Sequence, residues 1–143
     1  MGIVDDVFDF LETEGIAGGS TEWSLLRRRS ADVDVEDQLV VVTEDGGPAP
    51  EIPAEDGIGD AALYDVGVLV SVRASQWDSD ASASKAQEIF AALHGQRNIT
   101  VGTVTYLRAR ARTPQPIFVG FDEEGRPTHT IAFLLLQEAT ISS

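Results

Sequence analysis

Close to its C-terminal end the chain runs Thr-Ile-Ala-Phe-Leu-Leu-Leu over residues 130–136. As part of a strand spanning 128–139, this stretch turns Ile131, Phe133 and Leu135 to one side and Leu134 and Leu136 to the other. A strand that is apolar on both faces has to be covered on both. A helix can cover one face, and a helix, a loop or a second subunit must cover the other.

The remaining elements are read from period and punctuation. Ile3, Val4, Val7, Phe8 and Leu11 form one apolar stripe of a helix over 3–14, with Phe10 off the stripe and Gly15 ending it. Residues 21–29 are a candidate strand, and the β-branched run at 39–43 is a clearer one. Val66, Val68, Val70 and Val72 alternate through a strand at 65–76. Asp78, Ser79 or Asp80 can cap the helix that follows, which buries Ala86, Ile89, Phe90 and Leu93 and closes at His94-Gly95. One long strand is expected over 100–112, a short one over 117–121 after Thr113-Pro114-Gln115-Pro116, then a turn at Asp122-Glu123-Glu124-Gly125 and the final strand. Helix, strands, helix and then three strands in an antiparallel meander give an α+β domain: an antiparallel sheet of mixed strand length, an N-terminal helix and one helix packed on a face. No internal repeat is visible.

Residues 44–62 carry three prolines, four glycines and six acids, so they are expected to form a loop inside a single domain of 143 residues. The charge is as uneven as the hydropathy. Residues 1–65 hold 17 Asp and Glu against 3 Arg, whereas residues 66–143 hold 7 acids against 7 basic residues. Such a surface disfavours binding to nucleic acid or to an acidic membrane. No apolar run reaches the ~20 residues of a membrane span, and the first residues lack a basic leader, so the chain is expected to be cytosolic. Without cysteine it has no disulfide, zinc-thiolate site or cysteine nucleophile.

Each candidate for chemistry has a plainer explanation. Gly57-Ile-Gly59-Asp-Ala-Ala62 abbreviates a dinucleotide fingerprint but lacks the strand before it and the helix after it. Asp78-Ser-Asp80-Ala-Ser82 begins like a calcium loop, yet Ala83 stands where that loop needs glycine, so helix capping is expected. The carboxylates of Asp122, Glu123 and Glu124 lie on a turn, where solvation is the usual state. His94 suits a helix C-terminus, and His129 lies in a strand without an obvious serine or carboxylate partner. Neither a catalytic set, a cofactor site nor a metal site is expected. The basic concentrations are Arg27-Arg28-Arg29 and the alternating Arg108, Arg110 and Arg112, which share one strand face with Val104 and Tyr106 and are expected to pair with carboxylates, within the subunit or across an interface.

The second half has a familiar order: Val70–Arg73, the helix with Ala86 to Gly95, Thr-Pro-Gln-Pro-Ile-Phe-Val-Gly at 113–120, Phe-Asp-Glu-Glu-Gly-Arg-Pro at 121–127, then an apolar strand. Residues 64–138 resemble the tail-terminator (minor capsid or tail-completion) proteins of long-tailed bacteriophages, and residues 3–43 fit them loosely. The resemblance implies a non-enzymatic virion protein at the head–tail junction, assembled in the host cytoplasm. It would form a homo-oligomeric ring, commonly of six, that caps the tail tube, stops its polymerisation and meets the head connector or stopper. DNA would pass through without specific binding. The matching turn carries Asp122, Gly125 and Arg126. Arg108, Arg110, Arg112, Asp122, Arg126, Phe133 and Leu135 are the expected subunit or partner contacts. A head–tail connector or stopper is the alternative within the same particle. An acidic DNA-mimic inhibitor and a small enzyme using residues 122–124 are alternatives of other classes, and a halophilic origin would also account for the acidity.

Overall fold

The computed structural model describes residues 3–19, 21–27, 38–46, 61–101 and 104–140. In chain order the elements are α1 (Ile3–Thr13), β1 (Ser24–Arg27), β2 (Leu39–Gly46), β3 (Ala61–Arg73), α2 (Ser79–Leu93), β4 (Arg97–Val101), β5 (Val104–Ala111), β6 (Ile117–Phe121) and β7 (Pro127–Thr140). The class is α+β, with two helices and one seven-stranded sheet ordered β1-β2-β3-β7-β5-β4, β6 pairing β7 beside this path.

The two most apolar segments pair with each other at the centre. β3 and β7 run antiparallel from Ala61↔Thr140 to Arg73↔Thr128. This register lays Val68 against Phe133 and Val70 against Ile131, and all four side chains are fully buried. Leu11 from α1 and Ala86, Ile89 and Leu93 from α2 complete the same core. Placing the two-faced strand in the middle of the sheet satisfies its backbone groups on both edges, which a position at the rim would not.

Both helices lie on one side of the sheet. α1 touches β1 at one edge and β4 at the other, so the sheet curls around it. Phe10, off the expected stripe, packs half-buried against the core for the same reason. Gly15, at φ +71°, ends α1 in the left-handed conformation that glycine adopts without strain. At the start of α2 the Asp78 carboxylate accepts from Ala81 N at 3.2 Å, so capping is the work of that acid. Lys85 on α2 donates to Ile16 O at 2.8 Å and ties the second helix to the end of the first.

Four expectations are corrected. The strand placed over 100–112 is a hairpin: β4 and β5 pair antiparallel from Arg97↔Arg108 to Val101↔Val104. A glycine between two β-branched runs, as in Val101-Gly102-Thr103-Val104, is the sequence signal for such a break. The last strands are not a meander, because β7 inserts between β3 and β5. β1 and β2 pair in parallel, Ser24↔Leu39 to Arg27↔Val42, which the long stretch between them permits. Finally, β2 continues to Gly46 and β3 begins at Ala61, so strands enter both ends of the expected loop. The rest of that loop, with the glycine motif at 57–59, lies outside the described residues.

Candidate interaction surface

The expected arginine row exists, with one change of phase. Tyr106 pairs with Gln137 while Arg108 pairs with Leu136, so Leu107 is an extra residue and β5 bulges there. The bulge turns Tyr106 inward with Ala109 and Ala111, whereas Arg108, Arg110 and Arg112 remain exposed. Tyr106 is therefore not on the arginine face. The hairpin also adds a residue that the sequence did not offer: Arg97 lies directly opposite Arg108. Like charges in facing register destabilise a sheet pair. Arg27, from the other basic run, instead meets Asp5 at 3.3 Å and covers the Phe8 ring at 4.3 Å, while Arg28 and Arg29 lie outside the described residues.

Phe133 and Leu135 cannot serve as contacts of the folded chain. They are 0 % and 2 % exposed and lie beneath the helices. Both belong to the core-facing side of β7. Leu134 and Leu136 occupy the outer face: Leu134, between Gly67 and Arg110, is buried at 5 % exposure, and Leu136, beside Arg108, is half-buried. Leu69 and Ala132 pair on that same face and are half-buried. Among the described residues no helix packs over this side.

The 122–125 turn is closed on itself. Asp122 accepts from the backbone N–H groups of Glu124 and Arg126, each at 2.9 Å, and from Arg126 Nε at 2.8 Å. Burial alone would raise the Asp122 carboxyl, but these hydrogen bonds and the guanidinium charge outweigh it and hold it below the ordinary range. Arg126 also reaches Glu124 at 2.7 Å. Asp122 and Arg126 thus act on each other within the turn.

Gly125 takes φ +75°, and a Cβ there would stand 2.8 Å from the Trp77 ring. Trp77 itself sits at φ 61° and donates its N–H to Gly125 O at 2.8 Å, which locks the approach to α2 onto the turn. Gly125→Ala is expected to lower stability by about 1–2 kcal/mol from the backbone alone. It should also displace the indole, and tryptophan emission read alongside urea unfolding checks both effects. Unchanged emission would show that Trp77 is not held against the glycine.

Trp77 begins an aromatic ledge that the sequence reading passed over. Trp77 is 67 % exposed, Val119 63 %, Ile117 50 %, Phe121 49 % and Phe118 47 %. Ring centroids step from Trp77 to Phe121 at 5.3 Å, to Phe118 at 5.4 Å and on to His129 at 5.1 Å. β6 supplies most of it and pairs only with β7 among the described residues, leaving its outer edge open. Short apolar strands are usually read as core, and nothing in Ile-Phe-Val-Gly-Phe distinguishes an outward placement.

His129 does have a serine partner. Its Nδ1 lies 2.8 Å from Oγ of fully buried Ser82, which also donates to Ser79 O at 3.1 Å. Helix and strand meet here across a span of sequence that no local pattern reveals. Burial pushes the His129 imidazole below the ordinary histidine value. As pH falls through about 6.5 toward that lowered value, the unfolded chain takes up a proton that the folded chain does not, and stability drops. Urea midpoints should therefore decline between about pH 7.5 and 5.5. His129→Gln should decline less, and identical slopes for the two would refute the assignment. His94 does cap the end of α2, but its ring acts by a hydrogen bond rather than a charge: its Nδ1 accepts from Ala111 N at 2.9 Å, and the ring stacks on Phe90.

Among the described residues no group of three or more His, Cys, Asp or Glu side chains is placed to hold a metal, and no helix is long and apolar enough to cross a membrane. No protein-family model and no curated protein matches the sequence. The fold does have a solved counterpart. A chain in the structure of the virion of a native gene transfer agent (GTA) particle superposes with a TM-score of 0.63 at 12% identity, covering 96% of this chain and 95% of that one. The similarity is one of fold and extends nearly end to end.

Proposed function

We propose that this chain is a non-enzymatic tail-terminator protein, which assembles as a ring on the finished tail tube, stops its growth and presents the surface that meets the head connector. The observation that carries the proposal is the end-to-end likeness of fold to a chain of a virion particle. The Asp122–Arg126 turn, which resembles that of tail terminators, adds to it. So does an outer sheet face that bears leucines and arginines and has no helix over it among the described residues. A net charge of −14 suits the wall of a channel through which DNA slides without sticking.

The test is a mixture of purified chain with tail tubes that lack a terminator, imaged by electron microscopy. Density at one end of each tube, and arrest of further tube growth, is the expected result. Binding to head connectors but not to tubes would favour the stopper alternative, and binding to neither would reject a junction role.

A further inference from the structure

The aromatic ledge and the arginine-bearing outer face lie on different sides of the same sheet, and their chemistry is complementary. Phe118 stacks with His129, which contacts Ser82 of α2, so the Trp77–Phe121–Phe118 ledge opens on the helix side. Asp78 and Asp80 follow Trp77 in the chain and Asp122, Glu123 and Glu124 follow Phe121, all but Asp122 and Glu124 being clear of the Arg126 pairing, so the ledge is bordered by an excess of acid. The outer face presents Leu69, Ala132 and Leu136 flanked by Arg97, Arg108 and Arg110, and β4 and β5 contain no acid at all.

The geometry points to a head-to-tail contact in which the ledge of one copy docks on the outer face of a second copy of this chain. Three observations select that occupant. Acidic rim meets arginines, so the potentials match in this orientation and would clash ledge to ledge or face to face. Arg97 and Arg108 face each other in register, a repulsion that carboxylates from a neighbour relieve. With about half or more of each of the Trp77, Phe118 and Phe121 side chains exposed, the ledge offers roughly 350 Å² of apolar surface. That is short of the ~800 Å² per partner of a stable interface, so the charged rims must complete it. Trp77 over an arginine is the expected anchor, these being the residue types that dominate interfaces. Because the two patches differ, the contact is heterologous, and successive copies close into a ring or run on as a filament. This inference rests on the ring reading and specifies its surfaces.

Two variants test it: a ledge variant, Trp77→Ser with Phe121→Ser, and a face variant, Arg108→Glu with Arg110→Glu. Molar mass is followed by light scattering over a concentration series, with urea unfolding as a check that each variant folds. The wild-type chain is expected to self-associate, more weakly at high salt. Each variant alone should lose at least about tenfold in association. Mixed together, the two should form a one-to-one dimer, because each retains the patch that the other lacks. Should either variant fail to fold, a charge variant replaces it: Asp80→Lys with Glu123→Lys for the ledge, or Arg108→Ala with Arg110→Ala for the face; each alone must then remain monomeric where wild type does not, and the two mixed must form the same one-to-one dimer. Variants that still associate, a mixture that stays monomeric, or a wild-type chain that is monomeric at every concentration each overturn the docking pair. Tube capping is decided separately by the tail mixture, so an associating but differently docked chain would leave the proposed function intact.

Discussion

Phe133→Ala should destabilise the chain by about 3–5 kcal/mol, the cost of emptying a large buried site in a core that relaxes only partly. Domains of ordinary stability hold about 5–15 kcal/mol in total, so this single change removes roughly a fifth of the margin or more. The side chain is fully buried, pairs with Val68 across the centre of the sheet and meets Ala111 on the other side. Urea unfolding is the measurement, with a lower midpoint and an unchanged slope as the expected signature. The result also separates the two roles considered for this residue. A contact residue truncated to alanine would leave unfolding within about 0.5 kcal/mol and weaken association instead. Leu136→Ala, half-buried on the opposite face beside Arg108, is the internal comparison: its effect on association should exceed that of Phe133→Ala once folding is accounted for.

How much of this was legible follows from the range over which each signal acts. α1 and α2 announce themselves within a dozen residues, through stripe, cap and terminal glycine, and both were read to within about a turn. The valine alternation of β3 and the two-faced β7 were equally plain, and they alone imply a covered central sheet. What failed was anything set by two segments at once. The bulge at Leu107 reverses which residues accompany the arginines, and it exists only because β5 must match β7 at both ends. The crossing of Ser82 and His129, the facing of Arg97 and Arg108, and the insertion of β7 between β3 and β5 are likewise products of topology. The ledge was missed for a different reason. Apolar side chains on a short strand bury by default, and only the open edge of β6 shows that these do not. Of the expected contacts, Arg108, Arg110 and Arg112 lie at the surface, Asp122 and Arg126 close their own turn, and Phe133 and Leu135 are core.

One buried polar contact has a local signal in the sequence. Asp6 shares a helical face with Ile3, Val7 and Phe10, an acid set inside an apolar stripe, which demands a partner wherever that stripe is buried. The structure supplies Tyr106, whose hydroxyl donates to Asp6 Oδ2 from β5. Asp6 is 3 % and Tyr106 2 % exposed, and the cavity beside them, about 10 Å³, has room for no more than one water. Tyr106→Phe therefore removes the donor from a carboxylate that solvent cannot serve, at an expected cost of about 1–3 kcal/mol, toward the upper end because the acceptor is a carboxylate. Asp6→Leu combined with Tyr106→Phe removes both polar groups and should restore most of that loss, since an apolar pair of similar volume is often as stable as the polar one it replaces. The decisive quantity is the coupling energy of the double-mutant cycle from urea unfolding. Strong coupling identifies the bond as what fixes α1 against β5 across the curl of the sheet. Simple additivity would mean that α1 is held by its apolar stripe alone, and that Asp6 and Tyr106 are neighbours rather than partners.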